Sequence, residues 1–107
     1  MESESTTQNT IDKSRCANIA LIDLECTCND DDIFGPHEII EIGSVLGKLS
    51  LESFEIVDEL QIYVRPTINP TLTNFCTDLT GITQDIVDAA KTLDNALPVF
   101  QNWLQKK

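Results

Sequence analysis

A short apolar run near the start of the chain constrains the fold more than any other feature. Residues 19–24 read IALIDL, so every position except Asp23 is apolar. The run is short and rich in β-branched side chains, which favours a strand over a helix. A strand that is apolar at consecutive positions is typical of a sheet covered on both faces. The run therefore predicts a buried strand over residues 18–24 with helices or strands packed on both sides.

Two further strands and three short helices are predicted after this run. Residues 38–49 and 55–66 read as strands, and their short connection makes them antiparallel neighbours. Helices are then predicted over residues 70–78 and 84–90, with a last one ending near residue 107. The expected N-caps are Thr71 or Thr73 for the first helix, Thr83 for the second, and Thr92 or Asp94 for the third. The order β–β–β–α–α–α gives an incomplete sheet layer, and the predicted elements are insufficient to cover the first strand on both faces.

Length and charge limit the classes of function. The chain has 107 residues, which is the size of one small domain. Its formal net charge of −11 argues against binding nucleic acid through an extended positively charged surface. Residues 1–15 are polar and predict a disordered tail, with residues 16–107 forming the folded part. The tail has no apolar core typical of a signal peptide, and no stretch is long enough to span a membrane. We expect a cytoplasmic or nuclear protein with reduced cysteines.

Two carboxylates stand at the end of the first predicted strand. Asp23 and Glu25 are two positions apart, so in a strand they point to the same face with Cα atoms roughly 6.5 Å apart. Carboxylate oxygens select Mg²⁺ or Mn²⁺ over softer metals. A pair of such ions can activate a water molecule and stabilise a leaving oxygen in phosphodiester hydrolysis. The spacing alone is equally compatible with two solvated acids.

Two other segments of the sequence have part of a metal-binding pattern. Residues 30–41 place Asp30, Asp32, Gly35 and Glu41 at EF-hand positions, but Phe34 fails position 5 and no helix pattern flanks the loop. We interpret the loop as a solvated acidic connection. Cys26 and Cys28 are separated by one residue and have no second pair, which argues for ordinary thiols rather than zinc ligands. The only histidine, His37, is predicted to have a structural role.

The wider sequence resembles a known family. The segments IDLECTC, HEIIEIGSVL and QIYVRPTINPTLTNFCTDLTGITQDIVDAA are similar to those of the DEDDh 3′→5′ exonucleases, in particular the group that trims histone mRNA, small interfering RNA and ribosomal RNA ends. The resemblance covers residues 20–103. It implies an α/β, RNase H-like exonuclease fold, here truncated to about three N-terminal strands plus the following helices.

The resemblance also implies site residues. Asp23 and Glu25 match the first motif of the family, where both bind the catalytic metals, two Mg²⁺ or Mn²⁺ ions in the complete site. The positions that would lie beside the terminal nucleotide are Leu24, Cys26 and Thr27. The segment that would pack against the 3′-terminal bases and sugar comprises Leu79, Thr80, Gly81 and Ile82. The implied substrates are single-stranded RNA 3′ ends or RNA overhangs.

The chain departs from the family in the rest of the catalytic set. The family needs a second Asp, a His and a third Asp, and the only histidine, His37, has Ile42 rather than an Asp five residues on. The resemblance therefore covers only the N-terminal half of the exonuclease domain, and we expect little or no activity from this half alone. A full-length relative or the missing C-terminal half is the implied partner. The alternative is a non-catalytic RNA-binding or protein-interaction module derived from the same fold.

Overall fold

A mixed four-stranded sheet is the main element of the fold. The computed structural model describes residues 16–30 and 37–106, so the predicted tail and residues 31–36 of the acidic loop lie outside the described residues. The strands are β1 (Ala17–Cys26), β2 (Ile39–Leu49), β3 (Phe54–Arg65) and β4 (Lys91–Thr92), in that spatial order. β1, β2 and β3 form an antiparallel meander, whereas β4 pairs in parallel with the end of β3. The sequence did not predict the two-residue β4.

Three helices follow the meander: α1 (Asn74–Thr80), α2 (Gln84–Asp88) and α3 (Leu93–Gln105). Thr73 is the N-cap of α1, because its Oγ1 accepts a hydrogen bond from the backbone N–H of Cys76 at 3.0 Å. Gly81 ends α1 in the left-handed conformation with φ of 78°, which glycine adopts without a steric penalty. Thr83 precedes α2 as predicted, and Thr92 precedes α3. Thr71 and Asp94 were the wrong alternatives.

The core consists of two small clusters. One contains Ile40, Cys76, Ile82 and Val87, and joins β2 to α1 and α2. The other contains Ile42, Val64 and Ala96, and joins β2 and β3 to α3. Both clusters use β2 at the centre of the meander, so the helices bury β2 and the end of β3 rather than β1.

β1 does not have the burial that its sequence predicts. Leu21, Ile22 and Leu24 are 55%, 53% and 45% exposed, and β2 is the only strand that pairs with β1 among the described residues. The apolar run suits a strand buried on both faces, but this chain does not supply that cover, as the incomplete order of its elements predicts. The physical reason is that α1, α2 and α3 lie over β2 and β3, and the described part of the chain supplies no layer over β1. None of its helices has the length and apolar character that a bilayer crossing requires.

Candidate active site

Asp23 and Glu25 lie near the C-terminal end of β1. They are two residues apart in a continuous strand, so their side chains emerge on the same face. Across the ladder, Asp23 is opposite Gly43 and Glu25 is opposite Glu41, so Glu41 shares this face. Asp23 is exposed and Glu25 is half-buried. The arrangement presents two hard oxygen donors to solvent at the end of a strand.

A β-bulge follows Glu25 immediately. The register shifts between Glu25 and Cys26, so that Cys26 pairs with Ile39 and Ile40 has no partner on β1. A bulge of this kind bends the strand and redirects the side chains around it, and bulges are common beside active sites. The extra residue, Ile40, is on β2, so β2 bends here while β1 stays paired with it through Cys26 and Ile39.

Three hydrogen bonds fix Thr27 beyond the bulge. Its backbone N–H donates to the carbonyl of Glu38 at 2.7 Å, and its Oγ1 accepts from the backbone N–H of Glu38 at 2.9 Å. Nδ1 of His37 donates to the carbonyl of Thr27 at 2.9 Å. His37 thus has the structural role that the sequence predicts, holding the chain that follows the carboxylates.

The end of β1 also contacts α1. Oγ1 of Thr73 donates to the carbonyl of Cys28 at 2.7 Å, and Sγ of Cys76 donates to the carbonyl of Cys26 at 3.7 Å. Burial raises the pKa of the Cys26 thiol. Burial and a hydrogen bond with the Cys76 thiol raise the pKa of Cys28 to about 11. The described residues contain no third His, Cys, Asp or Glu side chain arranged with these thiols to hold a metal ion, which disfavours the zinc alternative.

The LTGI segment, residues 79–82, closes the end of α1 close to this contact. Leu79 is 67% exposed, whereas Ile82 is 2% exposed and belongs to the core. Oγ1 of Thr80 donates to the carbonyl of Cys76 at 2.8 Å and accepts from the backbone N–H of Ile82 at 3.1 Å. A Cβ atom on Gly81 would meet nothing within 4 Å. The positive φ, not crowding within the chain, is what requires glycine here.

Glu38 is a site-organising residue that the sequence reasoning missed. Its carboxylate accepts the backbone N–H groups of Thr67, Ile68 and Asn69 at 2.7, 2.9 and 2.8 Å. Burial alone would raise the pKa of Glu38, but these three hydrogen bonds outweigh it and lower the pKa. Glu38 therefore ties the loop after β3 to the segment that holds Thr27. No local pattern identifies this role, because the bonded groups are about thirty positions away.

The donor chemistry of the carboxylate pair fits Mg²⁺ or Mn²⁺. Carboxylate oxygens are the ligands that these ions prefer. In the described part of the chain, however, no group of three or more His, Cys, Asp or Glu side chains is arranged to hold one ion. Asp23 and Glu25 could therefore supply two ligands of such an ion, and its remaining ligands would have to come from water, substrate or further protein groups.

Comparison with known proteins identifies the domain. Residues 20–107 match the exonuclease family RNase_T. This chain belongs to the exonuclease family. A zebrafish (Danio rerio) relative, ERI1 exoribonuclease 2, is 41% identical over 103 residues, covering 96% of this chain and 18% of its own length. The human (Homo sapiens) 3′-5′ exoribonuclease 1 is 46% identical over 92 residues, covering 83% of this chain and 25% of its own length.

Solved structures support the same fold. The nuclease domain of 3′hExo, a DEDDh family member bound to rAMP, superimposes with a TM-score of 0.77 and 43% identity, over 88% of this chain and 46% of that one. A 3′-exonuclease studied for its recognition of the histone mRNA stem-loop superimposes with a TM-score of 0.75 and 44% identity. The match covers 82% of this chain and 39% of that one. The exonuclease fold is therefore the DEDDh, RNase H-like one predicted from the sequence, and this chain spans less than half of the solved chains.

Proposed function

We propose that this chain forms the part of a 3′→5′ exoribonuclease domain that carries the first two metal ligands and the residues that contact the 3′-terminal nucleotide. The observation that carries the proposal is the placement of Asp23 and Glu25 on one face at the end of β1, within a fold that matches DEDDh nucleases. The family and the fold give the reaction type, and the position of the carboxylates gives these residues their proposed role.

In this proposal Asp23 and Glu25 hold Mg²⁺ or Mn²⁺, two ions in the complete site. When bound, such ions supply an activated water and stabilise the leaving oxygen of the phosphodiester. The exposed Asp23 and half-buried Glu25 provide the negative charge that keeps the ions at the end of β1.

The proposed 3′-end pocket is formed by the chain after β1 and by the end of α1. Backbone groups around Leu24, Cys26 and Thr27 would contact the terminal nucleotide on one side. The LTGI segment would contact it on the other, with the exposed Leu79 as its available apolar side chain. The bonds from Thr73 and Cys76 hold these two segments together. The proposed substrates are single-stranded RNA 3′ ends or RNA overhangs.

We also propose that these residues are insufficient for catalysis by themselves. His37, the only histidine, donates to the Thr27 carbonyl and lies at the start of β2, so it is not placed to take a proton from an attacking water. The exposed apolar side chains of β1, Leu21, Ile22 and Leu24, support the idea that a further part of an exonuclease domain packs there. A full-length relative or a C-terminal half would supply the second Asp, the His and the third Asp.

A gel assay with 5′-labelled single-stranded RNA and Mg²⁺ tests the proposal. We expect little or no 3′ trimming by this chain alone. If the wild-type chain trims the RNA efficiently and Asp23→Ala abolishes the trimming, the proposal that this chain is insufficient for catalysis is wrong. The proposal that Asp23 holds a metal ion would still stand. Calorimetry with Mn²⁺ tests that role separately, because Glu25→Ala should remove the binding. Indifference of Mn²⁺ binding to Glu25→Ala would favour the alternative, a protein-interaction module.

A further inference from the structure

A third acidic side chain faces the carboxylate pair from the neighbouring strand. Glu41 of β2 is directly opposite Glu25 of β1 in the antiparallel register. Directly opposite residues have Cβ atoms about 4.5–5.5 Å apart, and like charges in this arrangement repel each other. The strand register places Glu25 and Glu41 opposite each other. A neutral side chain at position 41 would remove the repulsion between them. The pairing therefore needs a compensating charge or a local restraint.

Gln61 of β3 supplies a restraint on Glu41. Nε2 of Gln61 donates a hydrogen bond to Oε2 of Glu41. Gln61 is opposite Gly43, which is in turn opposite Asp23, so this row of the sheet runs from Asp23 across a residue without a side chain to Gln61. The amide satisfies one oxygen of Glu41 but brings no positive charge, so the negative charge at position 41 is held in place without being neutralised.

These side chains line one open groove on the face of the sheet. The groove has a volume of about 580 Å³, and Asp23, Glu41, Gly43 and Gln61 are among its lining residues. Because Gly43 has no side chain, nothing stands between Asp23 and Gln61 at the bottom of the groove. The charge of Glu41 therefore acts across open space on the same side of the sheet as Asp23 and Glu25.

We propose that Glu41, fixed by Gln61, is a positioning residue for the cation site of Asp23 and Glu25; this inference rests on the proposed function. Glu41 is not a direct ligand, since the described residues contain no converging group of three acids. Its charge disfavours Glu25 rotamers that point towards β2, which turns the Glu25 carboxylate towards the outer side of β1. The same charge raises the attraction of the site for a divalent ion.

The test is Mn²⁺ binding to the purified 107-residue chain, measured by calorimetry, for wild type, for Glu25→Gln and for three further variants. Glu41→Gln keeps the size and the hydrogen-bonding capacity of the side chain but removes its charge, and we expect binding roughly three- to tenfold weaker at low ionic strength. Glu41→Asp keeps the charge, and its affinity for Mn²⁺ should stay within about twofold of that of wild type. Glu59→Gln is the matched control: Glu59 is an exposed acid on the same face, further from the carboxylate pair.

Thermal unfolding in EDTA separates this electrostatic role from a structural one. Removing one of two opposed negative charges should leave the unfolding temperature of Glu41→Gln unchanged or raise it, and Mn²⁺ should then stabilise this variant less than wild type. A clear fall of the unfolding temperature in EDTA would mean that Glu41 is needed for folding, and would overturn the inference.

Two further outcomes distinguish this inference from the proposed function. If wild type binds Mn²⁺ through Glu25 but Glu41→Gln binds as tightly as Glu59→Gln, the role of Glu41 is refuted and the metal site stands. If wild type binds no Mn²⁺, or Glu25→Gln leaves its binding unchanged, the proposed metal site fails and the role of Glu41 fails with it.

Discussion

Replacing Glu38 by glutamine tests how the segment beside the carboxylates is held. The Glu38 carboxylate accepts three backbone N–H groups, from Thr67, Ile68 and Asn69, at 2.7–2.9 Å. The amide of Glu38→Gln has almost the same shape, but it has only one acceptor oxygen and no charge. At least one of the three N–H groups then loses its partner, and those that keep one lose the contribution of the charge.

The magnitude follows from the number and type of these bonds. A hydrogen bond to a charged group contributes about 1.5–3 kcal/mol to stability, but water can reach this loop and replaces part of what is lost. We therefore expect Glu38→Gln to lower the free energy of unfolding by about 2 kcal/mol. For a domain of this size, that corresponds to a fall in the unfolding temperature of about 8–16 °C.

The assay is urea unfolding followed by the fluorescence of Trp103, the only tryptophan, whose Nε1 donates to Asp58 at 3.0 Å between α3 and β3. The pKa of Glu38 is lowered from its usual value of 4.5. A lowered pKa contributes stability that is present above the unfolded-state pKa and is lost as the pH falls through the folded-state pKa. The difference in the free energy of unfolding between wild type and Glu38→Gln should thus have its full value at pH 7 and become smaller below about pH 4.5.

Two results would refute this reasoning. One is a loss smaller than about 0.5 kcal/mol at pH 7, which is the range of ordinary surface substitutions. The other is a gap between wild type and Glu38→Gln that stays constant from pH 7 to pH 3. Glu59→Gln, which removes an exposed charge from β3, serves as the control and should change the free energy of unfolding by less than about 0.5 kcal/mol.

Three more predictions concern single residues. Gly81→Ala should lower the free energy of unfolding by about 1–2 kcal/mol, because φ is 78° while the space around a Cβ is open; an unchanged unfolding temperature would contradict this. Gly47→Ala should lower the free energy of unfolding, measured by urea unfolding, by about 1–3 kcal/mol. The reason is that its Cβ would collide with the Phe54 ring and lie 2.9 Å from the Glu55 carbonyl oxygen. Alkylation of Cys28 by iodoacetamide should accelerate about tenfold per pH unit between pH 8 and 10, since its pKa is about 11; a pH-independent rate of modification, followed by mass spectrometry, would refute it.

Elements defined by local chemistry were predictable from the sequence. Gly81 ends α1 by a rule that acts within one turn, and Thr73 was one of two predicted caps, although the helix predicted from residue 70 begins only at Asn74. The alternation around Asp23 and Glu25 likewise places both carboxylates on one face without knowledge of the rest of the fold. The helix predicted over residues 84–90 ended slightly early, at Asp88, as helix ends often do.

Features that depend on pairing between distant segments were not predictable. β4 has two residues and exists only because Lys91 and Thr92 lie beside Val64 and Arg65. The exposure of β1 was anticipated from the incomplete order of elements, but which strands the three helices cover was decided by the tertiary structure. Nothing near Glu38 in the sequence shows that its carboxylate accepts N–H groups from the loop after β3.

The sequence by itself determined the carboxylate pair and the family and narrowed each helix cap to one or two residues, because each rests on residue type and short spacing along one chain. Only the tertiary structure decided that Glu41 faces Glu25, that Gln61 holds Glu41, and that His37 and Glu38 anchor Thr27. These contacts depend on strand register and on a single bulged residue, and a shift of one position would move every side chain involved to the other face of the sheet.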